Sequence, residues 1–410
     1  MNGYDITRLD NGITVVTENI PHVKSFSLGF WFNTGSINET AKNNGISHFI
    51  EHMLFKGTGK RTAKKISEDV ESLGGYLNAF TSKEHTCYYG RGLSQHLAKT
   101  FEVLADMIQN SLFRQSDINK EAGVIVDELL DIEDSPEELI FDRFESNIYH
   151  GNKLHYPIIG TINNIKSFGR NDIIEYMNKH YVLNNLYIVA SGLVDHNRML
   201  ELVQKHFTRE TGIRNNSGRK IKVNRAGNIF IKKNTQQTHA IIGCSSYGYK
   251  SRQRIGVSFL SHILGEGSSS RLFQSLRERN GITYQVNSFL NSFYDVSSFG
   301  VYFSTNQKSF NKAVKLVYRE FEKLSSKPVG ITELKRAKEY IKGNILMSLE
   351  NTTNRMMRLA QSMIYFKRIK TLEETVSEID SLTREELFEL SRKIFDMEKY
   401  SQVIISPSHI

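Results

Sequence analysis

The stretch that decides the fold and chemistry of this chain is Gly45-Ile-Ser-His-Phe-Ile-Glu-His-Met-Leu-Phe-Lys-Gly-Thr58. Apolar residues recur in it at helical intervals with no Gly or Pro between them, so it predicts a helix. His48 and His52 then lie one turn apart on one face. Two imidazoles at this spacing can hold one zinc ion, with Glu51 beside them as a base for a water molecule. A helix that merely carries two histidines is the alternative.

A catalytic zinc site has three protein ligands and an open position, so one more ligand is needed from a remote segment. The order His48-x-x-Glu51-His52 is the inverse of the commoner His-Glu-x-x-His and is the inverzincin signature. The chain has only 2 cysteines, so a carboxylate is the better candidate. Residues 116–133 predict a helix on which Glu121 and Glu128 share a face. A solvated helix surface would show the same pair.

These residues resemble the pitrilysin, insulysin and mitochondrial processing peptidase family of zinc peptidases. The residues on either side of the motif also match the family, and the similarity extends over nearly the whole chain. It is strongest to the short, half-length processing-peptidase members. The resemblance implies that His48, His52 and Glu128 hold one Zn²⁺ per chain. It also implies that Glu51 is the general base and that Glu121 orients a histidine ligand or the water from behind.

The second half of the chain carries the Gly-rich stretch 265–285, but it lacks the lysine of a phosphate-binding loop. In the family this segment supplies an Arg and a Tyr seven residues apart, and they match Arg277 and Tyr284. A guanidinium and a phenol can hold a peptide carbonyl and the oxyanion formed from it. A simple ion pair between Arg277 and Glu278 is the alternative.

The resemblance also implies residues that bind substrate. A strand edge that takes the substrate as an added strand matches Asn78, Ala79, Phe80 and Thr81. Phe55 matches the residue that lines the pocket just after the cleaved bond, although it could equally belong to the core. One acidic pair, Glu138 and Asp142, matches the pair with which processing peptidases bind an arginine. A solvated helix face is the alternative for that pair.

The length of 410 residues suits two domains, and the residues around 208–228 have the composition of a linker. We expect a zinc-binding domain at 1–210, a linker at 211–228, and a domain at 229–410 that carries Arg277 and Tyr284. The stretches 47–57 and 257–267 align, with Ser258 and Ser261 in place of His48 and Glu51. The predicted fold is therefore α+β, with two homologous domains that each pack an antiparallel sheet against helices.

The net charge of +9 is spread along the chain, so it favours solubility over a nucleic-acid partner. No apolar run reaches membrane-spanning length, and the N-terminus has no signal pattern, so we expect a cytoplasmic protein. In the family, two half-length units close on each other so that the zinc half of one faces the Arg/Tyr half of the other. Since this chain has one copy of each half, the resemblance implies a homodimer with sites shared between chains. A monomer that completes its own site is the alternative.

The predicted function is a zinc-dependent metalloendopeptidase that hydrolyses extended peptides or unfolded polypeptide segments, with a preference for basic substrates. Two alternatives stay open. One is a general degradative oligopeptidase, and the other is a non-catalytic scaffold or core subunit of the same family.

Overall fold

The computed structural model describes residues 3–208, 221, 223 and 226–408, which form two compact units. The first unit contains most of the N-terminal half together with Met347–Ile369. The second contains most of the C-terminal half together with Leu130–His155. The units thus differ from the predicted division into 1–210 and 229–410 at these two segments. The predicted linker at 211–228 lies largely outside the described residues.

Strands and helices follow one another in a similar order in both halves of the chain. The strands are β1 (Tyr4–Arg8), β2 (Thr14–Asn19), β3 (Ser25–Phe32), β4 (Tyr76–Thr81), β5 (Thr86–Leu93), β6 (Leu186–Gly192), β7 (Ile229–Lys232), β8 (Thr238–Tyr247), β9 (Thr283–Ser292), β10 (Val296–Thr305) and β11 (Ser401–Ser406). The helices are α1 (Ile46–Leu54), α2 (Ala63–Glu71), α3 (Leu97–Asn110), α4 (Gln115–Asp134), α5 (Pro136–Ile148), α6 (Ile162–Ser167), α7 (Arg170–His180), α8 (His196–His206), α9 (Gln253–Gly265), α10 (Phe310–Ser326), α11 (Ile331–Ser348), α12 (Thr352–Phe366), α13 (Leu372–Ser381) and α14 (Arg384–Ile394).

Each unit is built around one sheet. The order is β1-β2-β6-β3-β5-β4 in the first and β7-β11-β8-β10-β9 in the second. The α+β prediction is confirmed, but both sheets are mixed because β2 pairs with β6, and β7 with β11, in parallel. These partners are far apart in sequence, so no hairpin forces them to be antiparallel. Apart from β1 the two sheets have the same topology, which is consistent with the internal repeat.

The burial of strand β3 explains why helix α12, from the C-terminal half of the chain, belongs to the first unit. Seven of its eight residues are buried, so both of its faces must be covered. On one face Phe30 packs against Phe101 of α3 with ring centroids 5.0 Å apart. On the other face the hydroxyl of Ser27 lies 2.9 Å from that of Thr352 at the start of α12. In the second unit α5 supplies the equivalent cover, with Phe141 packed 5.0 Å from Phe289.

The local predictions differ from the structure at a few places. The apolar and aromatic run at 76–90 predicts a long strand or a hairpin, and the structure has a hairpin in which β4 and β5 pair antiparallel. The sequence also predicts a helix at 268–279, and in the structure this segment contains a π-helical turn at Phe273–Glu278. Strand β1 and helices α6, α8 and α13 were not predicted from the sequence. Within the described residues no helix is long and apolar enough to cross a membrane.

Candidate metal centre

Helix α1 presents the three motif residues because its other side is anchored in the core. Its buried residues are Ile46, Ser47, Phe49, Ile50, Met53 and Leu54. The remaining side carries His48, Glu51 and His52, each of which is half-buried. The two imidazole rings are 4.6 Å apart between centroids, as their spacing of one helical turn predicts.

Helix α4 brings a carboxylate to these two rings. The Nε2 of His48 lies 3.7 Å from Oε1 of Glu128, and the Nε2 of His52 lies 3.6 Å from its Oε2. One potential ligand atom of each of the three residues lies within 4.8 Å of the other two. Across the described residues this is the one group of His, Cys, Asp or Glu side chains with metal-binding geometry.

The carboxylate of Glu121 fixes the orientation of one of these imidazoles. Its Oε1 lies 2.8 Å from Nδ1 of His52, which leaves Nε2 turned towards Glu128. Its Oε2 lies 2.5 Å from Nζ of Lys56. Burial opposes ionisation of Glu121, but the hydrogen bonds from His52 and Lys56 outweigh it and lower its pKa. Sequence reasoning missed Lys56, although it lies one turn after His52 and helical periodicity could have found it.

The carboxylate of Glu51 is held from the neighbouring strand. The hydroxyl of Thr81, the last residue of β4, donates to Oε2 of Glu51 at 2.5 Å. Burial raises the pKa of Glu51 above its ordinary value even though this hydrogen bond lowers it. Burial is the main cause that lowers the pKa of His48 to about 4, and the nearby His52 is the second. The imidazole of His48 is therefore neutral near pH 7. Neutral imidazoles are the form that binds metals.

The residues present fit a catalytic zinc ion. Two imidazole nitrogens and one carboxylate oxygen converge, and they are ordinary ligands of Zn²⁺. Three protein ligands leave one position for water or substrate, whereas a structural zinc site is closed by four. The carboxylate–histidine pair of Glu121 and His52 is the usual support behind a metal-bound imidazole.

Two groups of residues predicted to bind substrate, Phe55 and residues 78–81, lie close to α1 in sequence or in space. Phe55 is the first residue after α1 and is half-buried. Strand β4, which contains Asn78, Ala79, Phe80 and Thr81, is the end strand of its sheet and pairs with β5. Phe80 is half-buried and packs edge-on against the buried Trp31, with ring centroids 5.4 Å apart.

Arg277 and Tyr284 come together in the second unit. The guanidinium of Arg277 lies 4.6 Å from the ring centroid of Tyr284 and 4.8 Å from that of Phe273. It also donates to the backbone carbonyl of Tyr284 at 3.3 Å. The described part of the chain places no carboxylate within 4.0 Å of this guanidinium, so no ion pair with Glu278 forms. The side chain of Tyr284 is 78% exposed.

The acidic pair lies on α5, which belongs to the second unit. Glu138 is exposed in the first turn of the helix, and Asp142 is half-buried one turn later. Their spacing places both side chains on one face.

The helix equivalent to α1 in the second unit has no metal chemistry. His262 on α9 stacks on Tyr340 with centroids 4.4 Å apart and is 7% exposed. Its neighbour Ser261 is buried and bonds to Ser288. His262 is thus placed as a packed histidine, as the alignment of the two halves predicts.

Comparison with known proteins establishes the family. Residues 14–162 match the family described as Insulinase (Peptidase family M16), and residues 167–341 match the one described as Peptidase M16 inactive domain. An uncharacterized zinc protease of Rickettsia felis is 34% identical over 403 residues, covering 98% of this chain and 97% of that protein. The uncharacterized zinc protease YmxG of Bacillus subtilis is 33% identical, with 97% of both chains covered.

Solved structures share the fold. A protease from Helicobacter pylori has a TM-score of 0.91 at 22% identity, covering 98% of this chain and 99% of its own. A Pseudomonas fluorescens structure described as a peptidase M16 inactive domain has a TM-score of 0.92 at 18% identity, covering 99% and 98%. The chain therefore belongs to peptidase family M16, and the predicted resemblance is confirmed. Membership of this family implies zinc as the cofactor.

Proposed function

We propose that this chain is a zinc metalloendopeptidase that cleaves extended peptides or unfolded segments. The observation that carries the proposal is the convergence of His48, His52 and Glu128 beside the carboxylate of Glu51. These three residues would hold the zinc ion, which when bound supplies a Lewis acid that polarises a carbonyl and acidifies water. The relatives named zinc proteases support the same function.

Glu51 is the proton carrier of the proposed reaction. Thr81 occupies Oε2 of its carboxylate, so Oε1 is the atom left to accept a proton from the attacking water. The same carboxyl then delivers that proton to the leaving amine. Burial raises the pKa of Glu51, which brings it closer to neutrality and so suits a group that must both accept and release a proton.

Strand β4 supplies the proposed substrate-binding edge. Because β4 is the end strand of its sheet, its outer backbone groups can pair with an extended peptide. Thr81 connects this edge directly to Glu51, so a peptide paired with residues 78–81 would lie close to the proton carrier. Main-chain pairing gives affinity with little sequence preference, which suits a peptidase for unfolded segments.

Arg277 and Tyr284 are proposed to hold the substrate carbonyl and stabilise its oxyanion. Two rings and a carbonyl hold the guanidinium, and no carboxylate of the described chain neutralises it. A charged donor held in this way can bind a developing negative charge at little cost in reorganisation.

The proposed preference for basic substrates rests on Glu138 and Asp142. We expect the double variant Glu138→Gln/Asp142→Asn to raise KM for peptides with Arg near the cleaved bond. Charged hydrogen bonds contribute roughly 1.5–3 kcal/mol, or about 10–150-fold in KM. Peptides with citrulline in place of Arg are the control and should be unaffected. An equal rise for both peptides would identify the pair as a solvated helix face.

A homodimer with shared sites is proposed for the assembly, because one chain has one copy of each half of the site. Mixing Glu51→Gln with Arg277→Ala, each inactive alone, should restore activity, since a heterodimer contains one intact site. Random exchange of equal amounts gives roughly a quarter of the wild-type rate. Verified heterodimers without activity would show that each chain completes its own site.

The two alternatives predict different results from one experiment. A peptide library incubated with the protein and mapped by mass spectrometry should show internal cleavage near basic residues. Unselective cleavage of short peptides would indicate a general degradative oligopeptidase. No cleavage by zinc-loaded protein would indicate a scaffold subunit, which the filled positions His48, Glu51, His52 and Glu128 argue against.

A further inference from the structure

The start of helix α1 has no cap of the usual kind. Its N-cap residue is Gly45, which has no side chain, and the first turn contains no acidic residue. The first backbone N–H groups of a helix lack partners within the helix, and their burial without a partner would be costly. Some other group must therefore accept the hydrogen bonds of this turn, directly before His48.

A buried carboxylate from outside the helix takes this role. Glu39 is 0% exposed, and its Oε2 accepts from the backbone N–H of Gly45 at 2.8 Å. Its Oε1 accepts from the backbone N–H of Ser47 at 2.9 Å, and Asn44 Nδ2 donates to Oε2 at 2.9 Å. One side chain thus binds the two backbone groups on either side of Ile46.

The same turn is fixed by three further features. The side chain of Asn44 donates to the carbonyl of Pro157 at 2.8 Å. Gly45 has φ of 99°, and a Cβ there would lie 2.7 Å from the carbonyl oxygen of Ile159, so only glycine fits. The hydroxyl of Ser47 lies 2.8 Å from that of Tyr176.

We propose that Glu39 is a positioning residue for the metal centre, which sets where α1 begins and so where its histidines face Glu128. Ser47 and His48 are adjacent, so any shift of the Ser47 amide moves the first ligand. Contacts between His48, His52 and Glu128 all depend on the position of α1 against α4. In this role Glu39 acts through the backbone amides of Gly45 and Ser47 and not as a metal ligand. This inference rests on the proposed zinc site but not on peptidase activity.

The variant Glu39→Gln tests it, because the glutamine amide presents a donor to a backbone N–H that needs an acceptor. We expect about tenfold weaker Zn²⁺ binding, the lower end of the range for residues behind metal ligands. We also expect an altered visible spectrum of the Co²⁺-substituted protein. In the metal-free protein, the amides of Gly45 and Ser47 should exchange with solvent about tenfold faster, because their acceptor is lost.

The matched control is Thr62→Ala, which removes the side-chain cap of the adjacent helix α2. It should leave Zn²⁺ affinity and the Co²⁺ spectrum unchanged. If Glu39→Gln does not fold, Tyr176→Phe loosens the same turn by removing the partner of Ser47, and about threefold weaker Zn²⁺ binding is expected. Wild-type Zn²⁺ affinity and Co²⁺ spectrum in a folded variant, or equal changes in Thr62→Ala, would overturn the proposal. These readouts use no peptide, so their outcome is independent of whether the chain cleaves peptides.

Discussion

Replacement of Glu51 by Gln should abolish peptide hydrolysis while zinc stays bound. The amide cannot accept a proton from water, and the loss of a general base costs about 10²–10⁴-fold in rate. Glu51 is absent from the group of three converging metal ligands, so their geometry should survive. Gln can also still accept the hydrogen bond from Thr81 through its carbonyl oxygen. The measurement is a fluorogenic peptide assay together with metal analysis of the same sample.

The matched control for this prediction is Glu71→Gln, which makes the same change at the exposed end of α2. It should keep wild-type activity and zinc content. Activity near wild type in Glu51→Gln would remove Glu51 from the role of proton carrier. Loss of zinc together with activity would mean that Glu51 supports the metal centre instead.

Replacement of Glu128 by Gln should weaken zinc binding itself. A neutral amide oxygen is a poorer ligand for Zn²⁺ than a carboxylate, and His48 and His52 alone would leave two protein ligands. Residues behind a metal ligand already contribute about 10–100-fold in affinity. Loss of a direct ligand should therefore cost more than about 100-fold. Competition with a chelator of known affinity measures this change.

The control for Glu128→Gln is Asp127→Asn, which removes an equal charge from the preceding residue of α4, whose side chain is exposed. Helix geometry turns this side chain about 100° away from Glu128. It should leave zinc affinity unchanged. Full zinc retention by Glu128→Gln under chelator competition would show that another residue completes the site.

The metal-binding helix could be predicted because its information is local. The spacing of His48, Glu51 and His52 determines that they share a helix face, and the apolar residues between them determine which side is buried. The assignment of Glu128 as the third ligand needed more than local spacing, because Glu121 and Glu128 share a face of α4 and were equal candidates. The family resemblance assigned their roles, and the structure places Glu121 against Nδ1 of His52 and Glu128 against both Nε2 atoms.

The contacts that the sequence did not reveal are those between distant segments. Thr81 was predicted as part of a substrate strand, but its hydroxyl reaches Glu51, 30 residues earlier. Apolar periodicity shows that α5 and α12 have a buried face, but it cannot show which sheet covers that face. The unit to which these helices belong was therefore not predictable. The parallel pairing of β2 with β6 could not be predicted either, because the two strands are far apart in sequence.

The central claim is tested most directly by titration of metal-free protein with zinc while peptide cleavage is measured. We expect no hydrolysis without metal and a linear return of activity that ends at one Zn²⁺ per chain. Glu51→Gln titrated in parallel should bind the same amount of zinc and stay inactive. Hydrolysis at the full rate by the metal-free chain, or one bound zinc per chain without any cleavage of the peptide library, would contradict the account.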